Sequence, residues 1–315
     1  MHLGLEIGGT KLQLVAGRGD GTISRRWRDD IDPTAGADGI RAKITEWIPE
    51  ARGLGPVALG VGFGGPVDWR TGRIARSHQV EGWSGFPLGE WLRDRLGAPV
   101  VVDNDANVAA LGEAHRGQGR GAATVFYVTL GSGVGGGLVV DGTIYHGARP
   151  GESEIGHVRL DKSGTLVEQR CSGWAVDRRI QEAVALHPSS PLAELTQGAP
   201  RGQARFLAAA LEREDPLAHA ILSELADHLG FALSHVSHLM HPERIVLGGG
   251  LALVGEPLRL AVAEALRLYL MEVFQPGPAL FLASLREDAV PTGALLLAAA
   301  AGTTKFAVEP APAGR

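Results

Sequence analysis

Apolar positions run almost unbroken over residues 3–7 and 11–16, with Gly8, Gly9 and Thr10 between them. That pattern predicts two strands joined by a glycine-tipped hairpin. Helical spacing over 39–48 precedes a strand-like run at 57–62 that enters Phe63-Gly64-Gly65-Pro66. Residues 88–96 read as a helix, 100–102 as a strand, and 106–115 again as a helix. A glycine-bearing crossover at 117–121 marks the expected boundary between two lobes. The theme then repeats: a strand at 124–130, a glycine-rich stretch at 131–137, a strand at 138–140 and an Asp141-Gly142 turn. A long helical pattern over 217–240 places Leu222, Leu225, Leu229, Leu233 and Val236 on one face, before a strand at 244–247 ends in Gly248-Gly249-Gly250. The fold class is α/β. The expected lobes are 1–117 and 118–290, with a helix at about 291–303 returning to the first, and the tail after Phe306, rich in Pro and Ala, is expected to fray.

The length of 315 residues supports this division, because one hydrophobic core usually stops growing at roughly 250–300 residues. Hydrophobic residues at 44% and charged residues at 21% are ordinary globular usage. A net charge of −5, with no basic cluster beyond pairs such as Arg25-Arg26, argues against a nucleic-acid partner. The N-terminus shows no charged n-region, long apolar h-region or small-residue cleavage site, so no secretion signal is expected. The apolar segments 247–253 and 290–301 are too short or too glycine-rich for the ~20 residues that span a bilayer, so no membrane partner is expected. Cys171 is the single cysteine, which excludes an internal disulfide and a four-cysteine zinc site. A reducing cytoplasm is the expected compartment.

Three glycine clusters carry candidate chemistry. Gly8-Gly9-Thr10-Lys11 offers unshielded backbone N–H groups, a hydroxyl and an ammonium, which suit a phosphate chain, although a turn needing positive φ would select the same glycines. Residues 131–137 hold five glycines in seven positions, more than a hairpin requires, which favours close approach of a ligand at Gly131, Ser132 and Gly133. Gly248, Gly249 and Gly250 follow a strand, where a base or ribose could lie against exposed backbone; close helix–strand packing is the other reading. None has the Walker spacing, and the Rossmann spacing also fails.

Asp103-Asn104-Asp105-Ala106-Asn107 sits where a strand gives way to a helix, the place where open α/β sheets hold ligands. An N-cap needs one Asp or Asn, so capping leaves the others to explain. Carboxylates and carboxamides also suit sugar hydroxyls. Gly151-Glu152-Ser153-Glu154-Ile155-Gly156-His157 adds two acids and a histidine, with Glu168 following. An acidic helix N-terminus beside a surface histidine would look the same.

In this order EIGGTK at 6–11, GVGFGGPVD at 60–68, VVDNDAN at 101–107, LGSGVGGG at 130–137, GESEIGH at 151–157 and VLGGG at 246–250 resemble the ROK family of sugar kinases and sugar-responsive repressors. The resemblance covers nearly the whole chain. It implies the two-lobe actin-like ATPase (ribonuclease H-like) fold, with ATP held by the three glycine loops and a hexose in a central cleft. Asp105 matches the family's catalytic base. Gly65, Asn104, Glu154, His157 and Glu168 match its sugar-contacting positions. Phosphorylation of a hexose hydroxyl, with glucose as the default, and a homodimer are implied in the same way.

Two departures stand out. Many relatives carry, soon after the Gly-His motif, a three-cysteine loop that binds structural zinc with the histidine; here 158–167 is short and lacks cysteine, so no structural zinc is expected. Glu6 stands where the family usually has Asp, facing Mg²⁺ and the phosphates. A longer arm acting through water could serve, with slower turnover. The family's repressors carry an N-terminal helix-turn-helix. With the phosphate hairpin starting at residue 3 and Asp105 present, the expectation is a kinase, for glucose or another hexose such as fructose, mannose or an N-acetylhexosamine; Glu6 and the missing zinc loop leave a catalytically weak sugar-binding protein as the other reading.

Overall fold

The computed structural model describes residues 1–9, 11–75, 80–148 and 153–303. These form two compact units, one from residues 1–112 and 290–303, the other from 113–148 and 153–289.

The first unit is built on β1 (His2–Ile7), β2 (Lys11–Gly17), β3 (Ile23–Asp30) and β4 (Leu59–Phe63). A small antiparallel pair, β5 (Val67–Asp68) and β6 (Arg73–Ile74), follows, and then β7 (Val100–Asn104). The sheet order is β3-β2-β1-β4-β7, with β1, β4 and β7 parallel and the hairpin strands antiparallel. Leu3, Leu5 and Ile7 alternate along β1 into one core. Helices α1 (Gly36–Gly53) and α2 (Leu88–Leu96) close that core through Ile40, Ile44, Leu88 and Leu92. The helix α3 (Asp105–Arg116) starts directly from β7. β3 lacks the apolar alternation that reveals a strand, because it is an edge strand whose Arg25 and Arg26 are exposed.

The second unit repeats the plan. Its strands are β8 (Thr124–Leu130), β9 (Val134–Val140), β10 (Thr143–Ile144), β11 (Arg244–Gly248) and β12 (Ala279–Leu282), ordered β10-β9-β8-β11-β12. Each sheet is thus a three-strand antiparallel meander continued by two parallel strands. The β9–β10 turn has Asp141 at φ 48° and Gly142 at φ 74°, which suits a two-residue hairpin. β9 begins at Val134 rather than at 138, so Gly135, Gly136 and Gly137 are paired strand residues. Gly136 has no room for a side chain, since a Cβ there would sit 2.5 Å from the carbonyl of Ser153.

Helices α4 (Val167–Cys171), α5 (Gly173–Leu186), α6 (Pro191–Thr196), α7 (Leu207–Glu212), α8 (Pro216–Met240) and α9 (Glu256–Tyr269) cover this sheet. α8 buries Leu222, Leu225, Leu229, Leu233 and Val236 together, as its spacing requires. No helix among the described residues is long and apolar enough to cross a membrane. The last helix, α10 (Ala289–Thr303), joins the first unit, where Gly60 leaves no room for a Cβ against the carbonyl of Ala294. A Cβ at Gly4 would already stand 3.0 Å from Ala294. Glycines on that sheet face therefore let a helix lie unusually close.

Candidate active site

In the first unit Ile7, Phe63 and Asn104 occupy one level of the three parallel strands. The residues that follow them, Gly8, Gly64 and Asp105, emerge at the same carboxyl edge of the sheet, where ligands of open α/β folds collect. The N–H of Gly8 donates to the carbonyl of Lys11 at 3.0 Å and that of Gly64 to the carbonyl of Ile7 at 2.8 Å. A Cβ on Gly64 would lie 3.3 Å from Asp105 Oδ2 and 3.5 Å from Gly8 Cα, so the carboxylate and the first glycine turn are neighbours. Gly9 is half-buried in that turn, Lys11 opens β2, and Thr10 lies outside the described residues.

The acid-and-amide cluster divides its labour. Asp103 is buried, and its Oδ1 accepts from the Asn104 N–H at 2.8 Å and from Asn107 Nδ2 at 3.0 Å. Asn104 caps α3 through Oδ1, which accepts from Ala106 N–H at 2.9 Å and Asn107 N–H at 3.3 Å. Its Nδ2 donates to the carbonyl of Gly65 at 3.2 Å. Asp105 is half-buried as the first residue of α3. Glu6, one residue before the edge, sits opposite Gly62 on one side and Gln13 on the other. Its carboxylate accepts from the Gln13 amide, whose Oε1 accepts from the Arg26 guanidinium at 2.6 Å.

In the second unit the two remaining glycine loops leave adjacent parallel strands, with Gly248 level with Thr129. Gly248 has no room for a Cβ beside the Tyr127 hydroxyl, and Gly249, at φ 81°, would place one 2.6 Å from the Leu130 backbone. Packing alone accounts for these two glycines. At Gly131 and Gly250 a Cβ would meet nothing within 4 Å, so both present backbone to open space. Ser132 is half-buried between Gly131 and Gly133.

Gly133 is answered by Glu168, since a Cβ there would collide with the Glu168 carboxylate. Glu168 Oε2 accepts the N–H of Val134 at 2.9 Å. Glu154 and His157 flank a short 3₁₀ turn at Ile155–His157; both are exposed, and neither side chain has a hydrogen-bond partner among the described residues. Residues 158–167 form a narrow antiparallel turn, with Arg159 bridged to Leu166. Asp161 closes it: Oδ1 accepts from Gly164 N–H at 2.9 Å and Thr165 N–H at 3.2 Å, and the Ser163 and Thr165 hydrogen bonds hold its carboxyl well below the usual range. Cys171 is fully buried in the core, and burial pushes its thiol up to about 12.

The structure thus gathers Glu6, Gly8, Gly65, Asn104 and Asp105 at one sheet edge. Gly131, Ser132, Gly133 and Gly248–Gly250 gather at another, with Glu168 bonded to the residue that follows Gly133. The sequence alone does not single out Gln13, Gly64 or Val134. Gly64 is signalled only as part of the Phe63-Gly64-Gly65-Pro66 run, whereas Gln13 and the Val134 N–H matter only through register and approach. Among the described residues no three His, Cys, Asp or Glu side chains are placed to hold a metal by themselves.

Residues 2–301 match the model of the ROK family. The chain is 31% identical to a glucokinase of Halalkalibacterium halodurans over 304 residues, covering 91% of this chain and 92% of the relative. It is 30% identical to a glucokinase of Thermotoga maritima, covering 93% and 95%. The structure of a ROK family glucokinase from Streptomyces griseus in complex with glucose and AMPPNP superposes with a TM-score of 0.83 at 29% identity, covering 94% of this chain and 98% of that one.

Proposed function

The chain belongs to the ROK family and has its actin-like ATPase fold, and on that premise we propose that it is a kinase transferring the terminal phosphoryl group of ATP to a hexose hydroxyl, glucose being the first candidate. The observation that carries this reading in the structure is the half-buried Asp105 carboxylate standing beside Gly64 and the Gly8 turn at one sheet edge. A carboxylate next to a phosphate-type glycine turn is the arrangement a phosphoryl acceptor needs.

In the proposed step the sugar hydroxyl oxygen bonds to the γ-phosphorus as the bond to ADP breaks, and Asp105 takes the hydroxyl proton. The transition state is loose, so most of the acceleration comes from positioning and from neutralising phosphate charge. Gly8, Gly9, Thr10, Lys11, Gly131, Ser132, Gly133, Gly248, Gly249 and Gly250 are assigned to the nucleotide. Asn104, Glu154, His157, Glu168 and the backbone of Gly65 are assigned to the sugar. The free oxygens and ring nitrogens of Glu154 and His157 suit hydroxyl recognition.

Magnesium arriving with the nucleotide asks for only one or two protein carboxylates, because phosphate oxygens and waters fill the remaining positions. Glu6 fits that requirement: its carboxylate is oriented by Gln13 and belongs to the strand that leads into the Gly8 turn. Glu6 would hold the ion, directly or through water, and the ion would neutralise phosphate charge. We take the enzyme to act in the cytoplasm as a homodimer.

The test is ADP release in the presence of glucose, fructose, mannose and N-acetylhexosamines. Stoichiometric ADP and glucose 6-phosphate are expected with glucose. Sugar binding without turnover of any hexose would replace the kinase by a sugar-binding scaffold.

A further inference from the structure

The second glycine loop is held on both sides by the segments assigned to the sugar. On one side Glu168 Oε2 accepts the Val134 N–H at 2.9 Å, and five residues later Gly173 donates its N–H to the carbonyl of Gly131 at 2.7 Å. The start and end of the loop are thus bonded to one short stretch of chain. On the other side Gly156 packs so tightly on the Val134 carbonyl that a Cβ would collide with it, and Gly136 lies against the carbonyl of Ser153. Inside the loop the Gly131 N–H to Gly133 carbonyl bond, 3.0 Å, adds to these ties.

Glu168 is central to this grip. Its Oε2 serves the loop, while Oε1 has no hydrogen-bond partner among the described residues. The Glu168 carboxylate occupies the space a Cβ at Gly133 would take. One side chain therefore presents one oxygen to the phosphate-type loop and keeps the other for a donor such as a hydroxyl.

We infer that Glu168 is a positioning residue for the nucleotide as well as a sugar contact, so that hexose and nucleotide binding are coupled through its two carboxylate oxygens. The inference rests on the sugar-kinase reading for the identity of the ligands. A hydroxyl on Oε1 fixes the rotamer that holds the Val134 N–H, which orders the loop before the nucleotide meets it. By linkage, nucleotide on the loop must then favour sugar by the same factor.

The experiment measures binding of a non-hydrolysable ATP analogue with magnesium, by calorimetry and without sugar, to wild type, Glu168→Ala and Glu168→Gln. Loss of a charge-assisted hydrogen bond to the loop predicts about tenfold weaker nucleotide binding in Glu168→Ala. Glu168→Gln retains an acceptor for the Val134 N–H and is expected to bind within roughly threefold of wild type. Wild-type nucleotide affinity in Glu168→Ala overturns the inference. Gly133→Ala supplies a second arm: it displaces the carboxylate, so glucose affinity without nucleotide should fall about tenfold. Unchanged glucose affinity in a folded Gly133→Ala also overturns it, and this arm decides alone if Glu168→Ala does not fold. A wild type that binds the analogue but no hexose overturns the sugar-kinase reading instead, while the Ala and Gln comparison, made without sugar, still decides whether Glu168 positions the loop.

Discussion

Asn104 donates its side-chain amide to the carbonyl of Gly65 at 3.2 Å while its Oδ1 caps α3, so one residue ties the end of β7 to the loop after β4. The cap determines where α3 begins, and the tie determines where the glycine loop lies relative to it. Asp105, the next residue, inherits both constraints, which is why its carboxylate stands next to Gly64 instead of turning into the core.

Asp105→Asn preserves the shape of this corner and removes the proposed base. General-base assistance is typically worth ~10² to 10⁴-fold, and kcat should fall by about that much while glucose still binds. Steady-state rates together with equilibrium glucose binding check this; a wild-type kcat contradicts the assignment.

Glu6→Asp shortens the arm proposed to face the nucleotide and breaks the Gln13 contact across the β1–β2 pair. Both the rate and its dependence on magnesium concentration should shift. A magnesium titration of initial rates reads this, and superimposable curves would remove Glu6 from any metal role.

Glu113 is fully buried near the end of α3, in space that Gly117 leaves by lacking a side chain. It accepts the N–H of Gln118 at 2.9 Å and that of Leu285 at 2.8 Å, with the Ser284 hydroxyl at 3.4 Å. It thus fastens the crossover after α3 to the segment that leads into α10. Glu113→Ala leaves two part-buried backbone donors without their acceptor, at roughly 1–3 kcal/mol each, and stability should fall by about 3 kcal/mol. Urea unfolding measures it; Glu113→Gln, which keeps an acceptor, should lose less.

Cys171 should be inert to thiol reagents in the folded protein at pH 8 and react once per chain after unfolding. Burial raises its folded value from the ordinary 9.0 to about 12, so the neutral thiol favours folding below pH 9. That contribution is lost as the pH rises from 9 toward 12, because the unfolded chain releases the proton first. Rapid labelling of native protein would contradict this burial.

The sequence by itself determined what depends on neighbours along the chain. Apolar runs and helical spacing located β1, β2, β8, α2 and α8, Asp141-Gly142 specified its turn, and six motifs in order identified the family. It could not find β3, because a charged edge strand has no buried face to imprint an alternation. Nor could residue chemistry separate Asp103 from Asp105, two identical acids one residue apart from Asn104. Tertiary structure separates them, since Asp103 is buried against Asn107 while Asp105 reaches the sheet edge. The same holds for the glycines. Whether a glycine borders open space, as at Gly131 and Gly250, or makes way for another segment, as at Gly133, Gly136 and Gly248, depends on atoms brought close only by folding. The local sequence is equally glycine-rich in both cases, and a side chain's absence acquires meaning only from what fills the space beside it.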